Sequence, residues 1–194
     1  MEIVLASRSP RRRELMSRLV ETFRIVPVDV DETSVSEEEP ERFAMSAAIL
    51  KAEAAAASYP DAIVIGADTV VEVEGRSFGK PAGREEAKSM LEHLSGRTHL
   101  VITGIALVHK ASGRILVDRE TTSVTFRPLT GEMIEAYLDK GDFLDKAGAY
   151  AIQDVGGAFV SLVDGDYDNV VGFPVSRVAS MLAEMLSSES PPLS

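Results

Sequence analysis

Continuous apolar runs and helix-spaced apolar positions alternate along the first third of the chain. Residues 3–6 and 62–67 are unbroken apolar runs, which are typical of strands buried on both faces of a largely parallel sheet. Between these runs, residues 10–20 and 40–59 carry apolar side chains at helical spacing, and residues 23–28 favour a further strand. The pattern predicts an α/β fold, a mixed and largely parallel twisted sheet with flanking helices.

The rest of the chain predicts longer strands joined by turns. Residues 100–109 and 115–126 are rich in Val, Ile and Thr and flank an Ala-Ser-Gly turn, so they favour two antiparallel strands. Other patterns predict a hairpin at residues 70–78, helices over 84–94 and 130–139, a strand at 159–163 and a helix from Pro174. Because no linker interrupts this order, we expect one domain with two lobes over residues 1–186 and a disordered tail at 187–194.

Composition is that of an ordinary globular protein. With 194 residues and 45% hydrophobic content, the chain can bury a sizeable core. No apolar run approaches the roughly 20 residues of a membrane-spanning helix, and charged residues come too early for a secretion signal. Cysteine is absent, which excludes disulfides and thiolate chemistry. We therefore expect a cytoplasmic protein without a membrane partner.

The charge balance narrows the choice of partners. The formal net charge is -11, from 31 acidic and 20 basic residues, so the surface repels polyanions and no nucleic-acid partner is expected. Many of the acids lie at residues 29–41, which form either a solvated loop or, at one or two positions, a cation site. The three histidines lack zinc-like spacing, so the favoured metal is a hard cation with oxygen ligands, Mg²⁺ or Mn²⁺.

The segment after the first strand has the features of a phosphate-binding helix start. Residues 7–13 read Ser-Arg-Ser-Pro-Arg-Arg-Arg, in which Ser9 is a good N-cap and Pro10 suits the first helical position. The first turn would then present backbone amides, a partial positive charge and arginines that can grip phosphate oxygens two at a time. A phosphorylation site or a polybasic surface is the alternative interpretation of this segment.

Five separated motifs carry the remaining candidate chemistry. They are Leu-Ala-Ser-x-Ser-Pro-Arg-Arg from Leu5, Gly-Ala-Asp-Thr-Val-Val from Gly66, Gly-Lys-Pro from Gly79, Asp-Lys-Ala-Gly-Ala-Tyr-x-Ile-Gln from Asp145 and Asn-Val-Val-Gly-x-Pro from Asn169. In this order and register, over residues 3–186, the chain resembles the Maf family of nucleoside triphosphate pyrophosphatases. The resemblance implies hydrolysis of a nucleoside triphosphate at the α-phosphorus, giving the monophosphate and pyrophosphate. It also implies a divalent cation, two lobes that enclose a nucleotide cleft, and a homodimer.

The resemblance assigns catalytic and metal-binding roles by motif position. Asp68 would accept the proton of the attacking water, Lys51 and Lys80 would assist catalysis, and Glu32 and Asp68 would hold the metal. The sequence places Asp68 directly after an apolar run, so we expect it at the carboxyl end of a strand, where ligands gather in open α/β sheets. From the residues alone, Lys51 could instead be a solvated helix lysine, Asp68 a cap of the next segment, and Asp31 the metal ligand in place of Glu32.

The same resemblance assigns substrate contacts. Phosphate oxygens would be bound by Ser7, Ser9, Arg11 and Arg12, whereas Arg8 and Arg13 fall at positions that the motif leaves free and are expected at the surface. Buried phosphate charges must be paired with cations, because unpaired burial of even one charge costs several kcal/mol.

Base selectivity depends on a second set of positions. Among the family's branches, the combination of Arg11, Thr69 and Gln153 resembles the branch that acts on dTTP and UTP. The Gln153 amide offers one donor and one acceptor side by side, which complements the N3–H and a carbonyl oxygen of uracil or thymine. A backbone hydrogen bond in a glycine-rich loop is its alternative role. Asp154 departs from the glycine that the family often has there and adds a charge beside the expected base site.

Two other functions stay open at this point. One is the same reaction on modified triphosphates, either pyrimidines or purines such as 7-methyl-GTP. The other is a nucleotide-binding regulator of cell division, which the family's historical septum-formation label suggests. The presence of both Asp68 and Lys80 favours turnover over mere binding.

Overall fold

Helices and strands follow one another in a mixed α/β order in the computed structural model, which describes residues 1–187. The strands are β1 (Ile3–Leu5), β2 (Arg24–Ile25), β3 (Ile63–Val73), β4 (Arg76–Phe78), β5 (Thr98–His109), β6 (Arg114–Phe126) and β7 (Val160–Asp164). The helices are α1 (Pro10–Ser17), α2 (Pro40–Ala56), α3 (Arg84–Leu94), α4 (Gly131–Leu138), α5 (Ile152–Phe159), α6 (Tyr167–Val171) and α7 (Val175–Ser187). Nearly all of the tail predicted at 187–194 lies outside the described residues.

The described strands form one seven-stranded sheet in the order β2-β1-β3-β5-β6-β7, with β4 paired to β3. β1 runs parallel to both of its neighbours, and Leu5 lies opposite Ile25 on β2 and Ile65 on β3. β4 and β7 pair antiparallel with β3 and β6. The predicted fold class, a mixed sheet with flanking helices, is confirmed.

The chain divides into two compact units. The first comprises residues 1–68, 103–120 and 172 onward, and it contains α1, α2 and α7. The second comprises residues 69–102 and 121–171, and it contains α3 to α6. None of the helices within residues 1–187 combines the length and the apolar composition that a bilayer-spanning segment needs.

In the first unit, α2 packs on the sheet through small residues. Its buried face carries six alanines, at positions 44, 47, 48, 52, 55 and 56. Opposite them are glycines on the sheet: a Cβ atom added to Gly66 would lie 2.2 Å from the carbonyl oxygen of Ala48, and one added to Gly104 would lie 2.3 Å from that of Ala44. The helix backbone therefore rests almost directly on β3 and β5, which brings the side chain of Lys51 close to β3.

Several predicted elements are confirmed. The helix predicted over residues 84–94 is α3, and Thr130 caps α4 by accepting a hydrogen bond from the backbone N–H of Met133 at 3.2 Å. The two long strands predicted at 100–109 and 115–126 are β5 and β6. Strong apolar periodicity and turn residues located these elements without any tertiary information.

The expected end of the strand at Asp68 is wrong. β3 continues through Asp68 and Thr69 to Val73, because Val71 and Val73 pair with β4 in the hairpin. What ends here is the parallel partner: β1 stops at Leu5, opposite Ile65. Asp68 therefore lies just beyond the end of β1, within its own strand.

The segment around the glycine pair at 156 and 157 is also different from the prediction. It forms α5, interrupted at Gly156 with φ 24° and ψ -128°, and Phe159 ends this helix where the sequence predicted the start of a strand. The short helix α6 was not predicted. The strand predicted over residues 23–28 is reduced to Arg24–Ile25. Glycine pairs and short segments give weak periodicity, so packing decided these elements.

Candidate active site

The start of α1 is capped as predicted. The Ser9 hydroxyl accepts a hydrogen bond from the backbone N–H of Arg12 at 3.3 Å, and the Ser7 hydroxyl accepts one from the N–H of Ser9 at 3.1 Å. Pro10 has no N–H and the N–H of Arg12 is bound by Ser9, so these two positions offer no backbone amide to a phosphate. Both serines use their hydroxyl oxygen as an acceptor within this turn and keep the O–H as a donor.

Arg12 binds two backbone carbonyl groups of the first unit. Its Nε donates to the carbonyl oxygen of Gly172 at 2.8 Å, and its Nη1 donates to that of Ala67 at 2.8 Å. Ala67 precedes Asp68 on β3, and Gly172 precedes the helix α7. The guanidinium group thus connects α1 to two segments that are distant in sequence. Backbone acceptors leave no side-chain signal, so sequence reasoning missed both partners.

Lys51 joins two carboxylates. Its Nζ lies 2.5 Å from Asp68 Oδ1 and 2.8 Å from Glu32 Oε1. The side chains of Lys51 and Asp68 are 11% and 9% exposed, whereas that of Glu32 is 36% exposed. Lys51 is therefore a buried, paired lysine and not the solvated helix lysine of the alternative interpretation. Asp68 binds this lysine instead of capping the next segment.

The charges of this cluster act on one another. Burial lowers the pKa of Arg12 below its usual range, the neighbouring charge of Arg11 lowers it further, and the negative charges of Asp68 and Glu32 oppose this change. Arginine is not deprotonated in proteins, so the guanidinium carries its charge here. The cluster of Arg11, Arg12 and Lys51 with two carboxylates is a positively charged site inside an acidic protein.

The donor set fits a divalent cation that is shared with a ligand. Within residues 1–187 there is no group of three or more histidine, aspartate or glutamate side chains arranged to hold a metal. Glu32 and Asp68 nevertheless converge on the same ammonium group. Two carboxylates completed by substrate phosphates and water are what Mg²⁺ commonly uses. The residues present therefore fit a metal that arrives with its substrate.

The other predicted site residues belong to the second unit. Thr69 follows Asp68 on β3, Lys80 is exposed after β4, and Gln153 is exposed in the first turn of α5. The backbone N–H of Gly148 donates to the carbonyl oxygen of Gly79 at 3.0 Å, which ties the loop of Lys80 to the turn that precedes α5. Neither Lys80 nor Gln153 has an ion pair or hydrogen bond through its side chain to the described residues.

Sequence reasoning also left Lys146 without a role. Its ammonium group is buried and bonds the carbonyl oxygen of Asp142 and, at 2.8 Å, Asp145 Oδ1. Asp154 Oδ2 lies 4.0 Å from the same nitrogen, so the charge that departs from the family pattern faces a cation. The sequence shows a lysine beside Asp145 within one of the five motifs, but it does not show that this lysine is buried. Arg8 and Arg13 lie at the surface, as predicted.

Comparison with known proteins gives a consistent result. The family model described as Maf-like protein matches residues 2–185. A dTTP/UTP pyrophosphatase of Caldanaerobacter subterraneus subsp. tengcongensis is 49% identical over 183 residues, covering 94% of this chain and 88% of that protein. A dTTP/UTP pyrophosphatase of Moorella thermoacetica is 49% identical over 182 residues, covering 94% of each chain.

Solved structures of lower sequence identity share the fold. The Staphylococcus aureus Ham1 protein superimposes with a TM-score of 0.53 at 20% identity, covering 98% of this chain and 100% of that one. A HAM1 protein from Coxiella burnetii gives a TM-score of 0.56 at 19% identity, covering 95% of this chain and 99% of that one. At this identity the likeness concerns the fold alone.

Proposed function

The chain belongs to the Maf-like protein family, and on that basis we propose that it is a nucleoside triphosphate pyrophosphatase acting on dTTP and UTP. The observation that carries the proposal is the buried Lys51 bound to both Asp68 and Glu32, with Arg12 beside them. The names of relatives that are 45–49% identical over almost the whole chain support the same substrates.

In this reaction a water oxygen forms a bond to the α-phosphorus, the bond from that phosphorus to the α,β-bridging oxygen breaks, and pyrophosphate leaves. Asp68 is the proposed acceptor of the water proton. Lys51 occupies Oδ1 of this carboxylate and fixes its orientation, so Oδ2 is the oxygen proposed to face the water. Phosphoryl transfer needs mainly positioning and charge stabilisation, and a held carboxylate supplies the positioning.

The triphosphate brings about four negative charges, which need cations and donors around them. We assign this role to Arg11, Lys80 and the hydroxyl groups of Ser7 and Ser9. The hydroxyls suit it because their oxygens already accept backbone N–H groups, so their protons point elsewhere. A divalent Mg²⁺ or Mn²⁺, held by Glu32 and Asp68 with the phosphates, would neutralise charge and make a bound water more acidic.

Selection of the base is assigned to Gln153, with Thr69 and Arg11. Gln153 is exposed and its amide makes no hydrogen bond to the described residues, so both its donor and its acceptor can serve a ligand. Uracil and thymine offer the complementary acceptor and donor on one edge. Exchange of Gln153 for Glu would remove the donor and should favour guanine, whose edge carries two donors.

The test measures products from dTTP, UTP, CTP and 7-methyl-GTP with Mg²⁺ or Mn²⁺, each with and without a chelator. We expect monophosphate and pyrophosphate in equal amounts, dTTP and UTP as the best substrates, loss of activity with chelator, and oxygen-18 from labelled water in the monophosphate. Equal or faster hydrolysis of 7-methyl-GTP would overturn the pyrimidine assignment, and nucleotide binding without products would favour a regulator.

A pair of isosteric variants tests the proposed role of Asp68 as the general base. Asp68→Asn removes the proton acceptor and should lower kcat by about 100-fold or more, since a general base contributes about 10²–10⁴-fold. Asp61→Asn is the matched control, because Asp61 is exposed and outside the cluster. Full activity of the Asp68→Asn protein would contradict the assigned role. A cytoplasmic location and a homodimer stay predictions from the sequence.

A further inference from the structure

We propose that Arg12 is a positioning residue, which holds the backbone at Ala67 and thereby the catalytic carboxylate of Asp68, and that it does not bind the substrate's phosphates. The inference rests on the proposed function, because Asp68 is the base only if that function is correct. It revises the sequence-based expectation that Arg12 contacts phosphate.

The first argument is the use of the guanidinium donors. A guanidinium group offers two forked edges, Nε with Nη2 and Nη1 with Nη2, and bidentate binding of phosphate needs both donors of one edge. In Arg12, Nε is bound to Gly172 and Nη1 to Ala67, both at 2.8 Å. The Nε–Nη2 edge therefore already has one donor in use, and one of the two N–H groups of Nη1 is in use as well. A two-pronged phosphate contact through the Nε–Nη2 edge would require the hydrogen bond to Gly172 to break.

The second argument is where the two carbonyl groups lie. Ala67 is fully buried and its carbonyl oxygen belongs to the peptide bond that leads into Asp68. Gly172 has φ 108°, a conformation that favours glycine, and the next residue, Phe173, is fully buried. The carbonyl of Pro174 then accepts from the N–H of Val178 as α7 begins. Gly172 is thus a fixed anchor, to which Arg12 ties the backbone of β3.

The third argument is that the side chain and the backbone at Asp68 are held by different residues. Lys51 binds the carboxylate from α2, whereas Arg12 binds the preceding carbonyl group from α1. The side chain and the backbone of this position are therefore held from two helices of the same unit. A base that must meet a water near the α-phosphorus gains from such restraint, because a misplacement of about 1 Å can cost about 10²-fold in rate.

The kinetic test compares Arg12→Gln and Arg12→Lys with the control Arg13→Gln, whose side chain is exposed one residue along the same helix. A positioning role predicts that kcat on dTTP falls by about 100-fold in both Arg12 variants while KM changes by less than about threefold. Lysine keeps the charge but has a single donor group, so it does not restore kcat. A KM raised tenfold or more with kcat preserved, or recovery of activity in Arg12→Lys, would overturn the proposal.

A second measurement is independent of turnover. Amide hydrogen exchange without nucleotide should become faster at residues 64–70 and 170–174 in both Arg12 variants and stay unchanged in Arg13→Gln. If amide hydrogen exchange is unchanged in the Arg12 variants, the proposal that Arg12 holds this backbone is contradicted, even if the wild-type protein hydrolyses dTTP. If the wild-type protein hydrolyses neither dTTP nor UTP, the proposed function fails, and the exchange result still decides whether Arg12 holds this backbone. Should Arg12→Gln not fold, Arg12→Lys carries both measurements.

Discussion

Replacing Gly66 with alanine tests whether the close approach of α2 to β3 builds the cluster around Lys51. Gly66 and Asp68 lie two residues apart on β3, so their side chains point to the same face, and α2 packs on that face. The added Cβ would lie 2.2 Å from the carbonyl oxygen of Ala48 and 2.8 Å from the backbone nitrogen of Ala52. Both of these neighbours are backbone atoms of the turn that carries Lys51.

The expected magnitude follows from this overlap. The distance of 2.2 Å from this Cβ to the carbonyl oxygen is about 1.3 Å shorter than the roughly 3.5 Å of a favourable non-bonded contact, so helix and strand must move apart by about 1 Å or more. Overpacking of a core typically costs about 1–3 kcal/mol, which corresponds to a Tm lower by roughly 2–12 °C for a chain of this size. The same shift moves Lys51 away from Asp68, so kcat should fall by about 10²-fold.

The assay combines thermal unfolding with steady-state kinetics on dTTP. Gly131→Ala is the matched control, since nothing lies within 4 Å of a Cβ added at the start of α4. That variant should keep the wild-type Tm within about 1 °C and the wild-type kcat. A Gly66→Ala protein with wild-type Tm and kcat would refute the argument that helix–sheet distance sets the Lys51 contact. A lower Tm with unchanged kcat would refute the link to catalysis alone.

Three further outcomes are expected. Lys51→Met leaves the carboxylate of Asp68 buried without its cation and should destabilise the protein by about 3 kcal/mol in urea unfolding; a loss below 1 kcal/mol would contradict this. Burial lowers the pKa of His99 to about 4, so stability should fall as the pH drops from about 6.5 to about 4, and by about 3 kcal/mol more than in His99→Gln; parallel pH curves would exclude this residue as the cause. Asn169→Ala removes hydrogen bonds to Thr122 and to the carbonyl group of Val101 and should lower the free energy of unfolding by about 1–3 kcal/mol. The control for this measurement is Ser161→Ala, at an exposed position.

The sign of the histidine effect depends on its buried, neutral state. Above about pH 6.5 the imidazole is neutral in both the folded and unfolded chain, so it contributes its full share of stability. Between about pH 6.5 and 4, only the unfolded chain takes up the proton, and the folded state loses stability. The imidazole is hydrogen-bonded to the Tyr150 hydroxyl at 2.7 Å, packs edge-on against Phe126 and is 1% exposed.

Local sequence determined the elements with strong periodicity or clear caps. α3 occupies the residues that its apolar spacing predicted, and Ser9 and Thr130 cap their helices because a hydroxyl at that position satisfies an amide that the helix leaves unpaired. The motifs also predicted candidate site residues such as Asp68 and Lys80, since each motif is contiguous in the chain. The extension of β3 past Asp68 was missed, because it depends on pairing with a hairpin strand.

The sequence by itself therefore determined which residues carry charge and, where apolar periodicity or caps are strong, which segments form helices and strands. Only the tertiary structure decided that Lys51 binds Asp68 and Glu32, which are 17 and 19 positions away, and that Arg12 binds the carbonyl groups of Ala67 and Gly172. The physical reason is that hydrogen bonds and ion pairs act over about 3 Å, whereas periodicity reports only neighbours within a few residues. How closely α2 rests on the glycines of the sheet sets those distances.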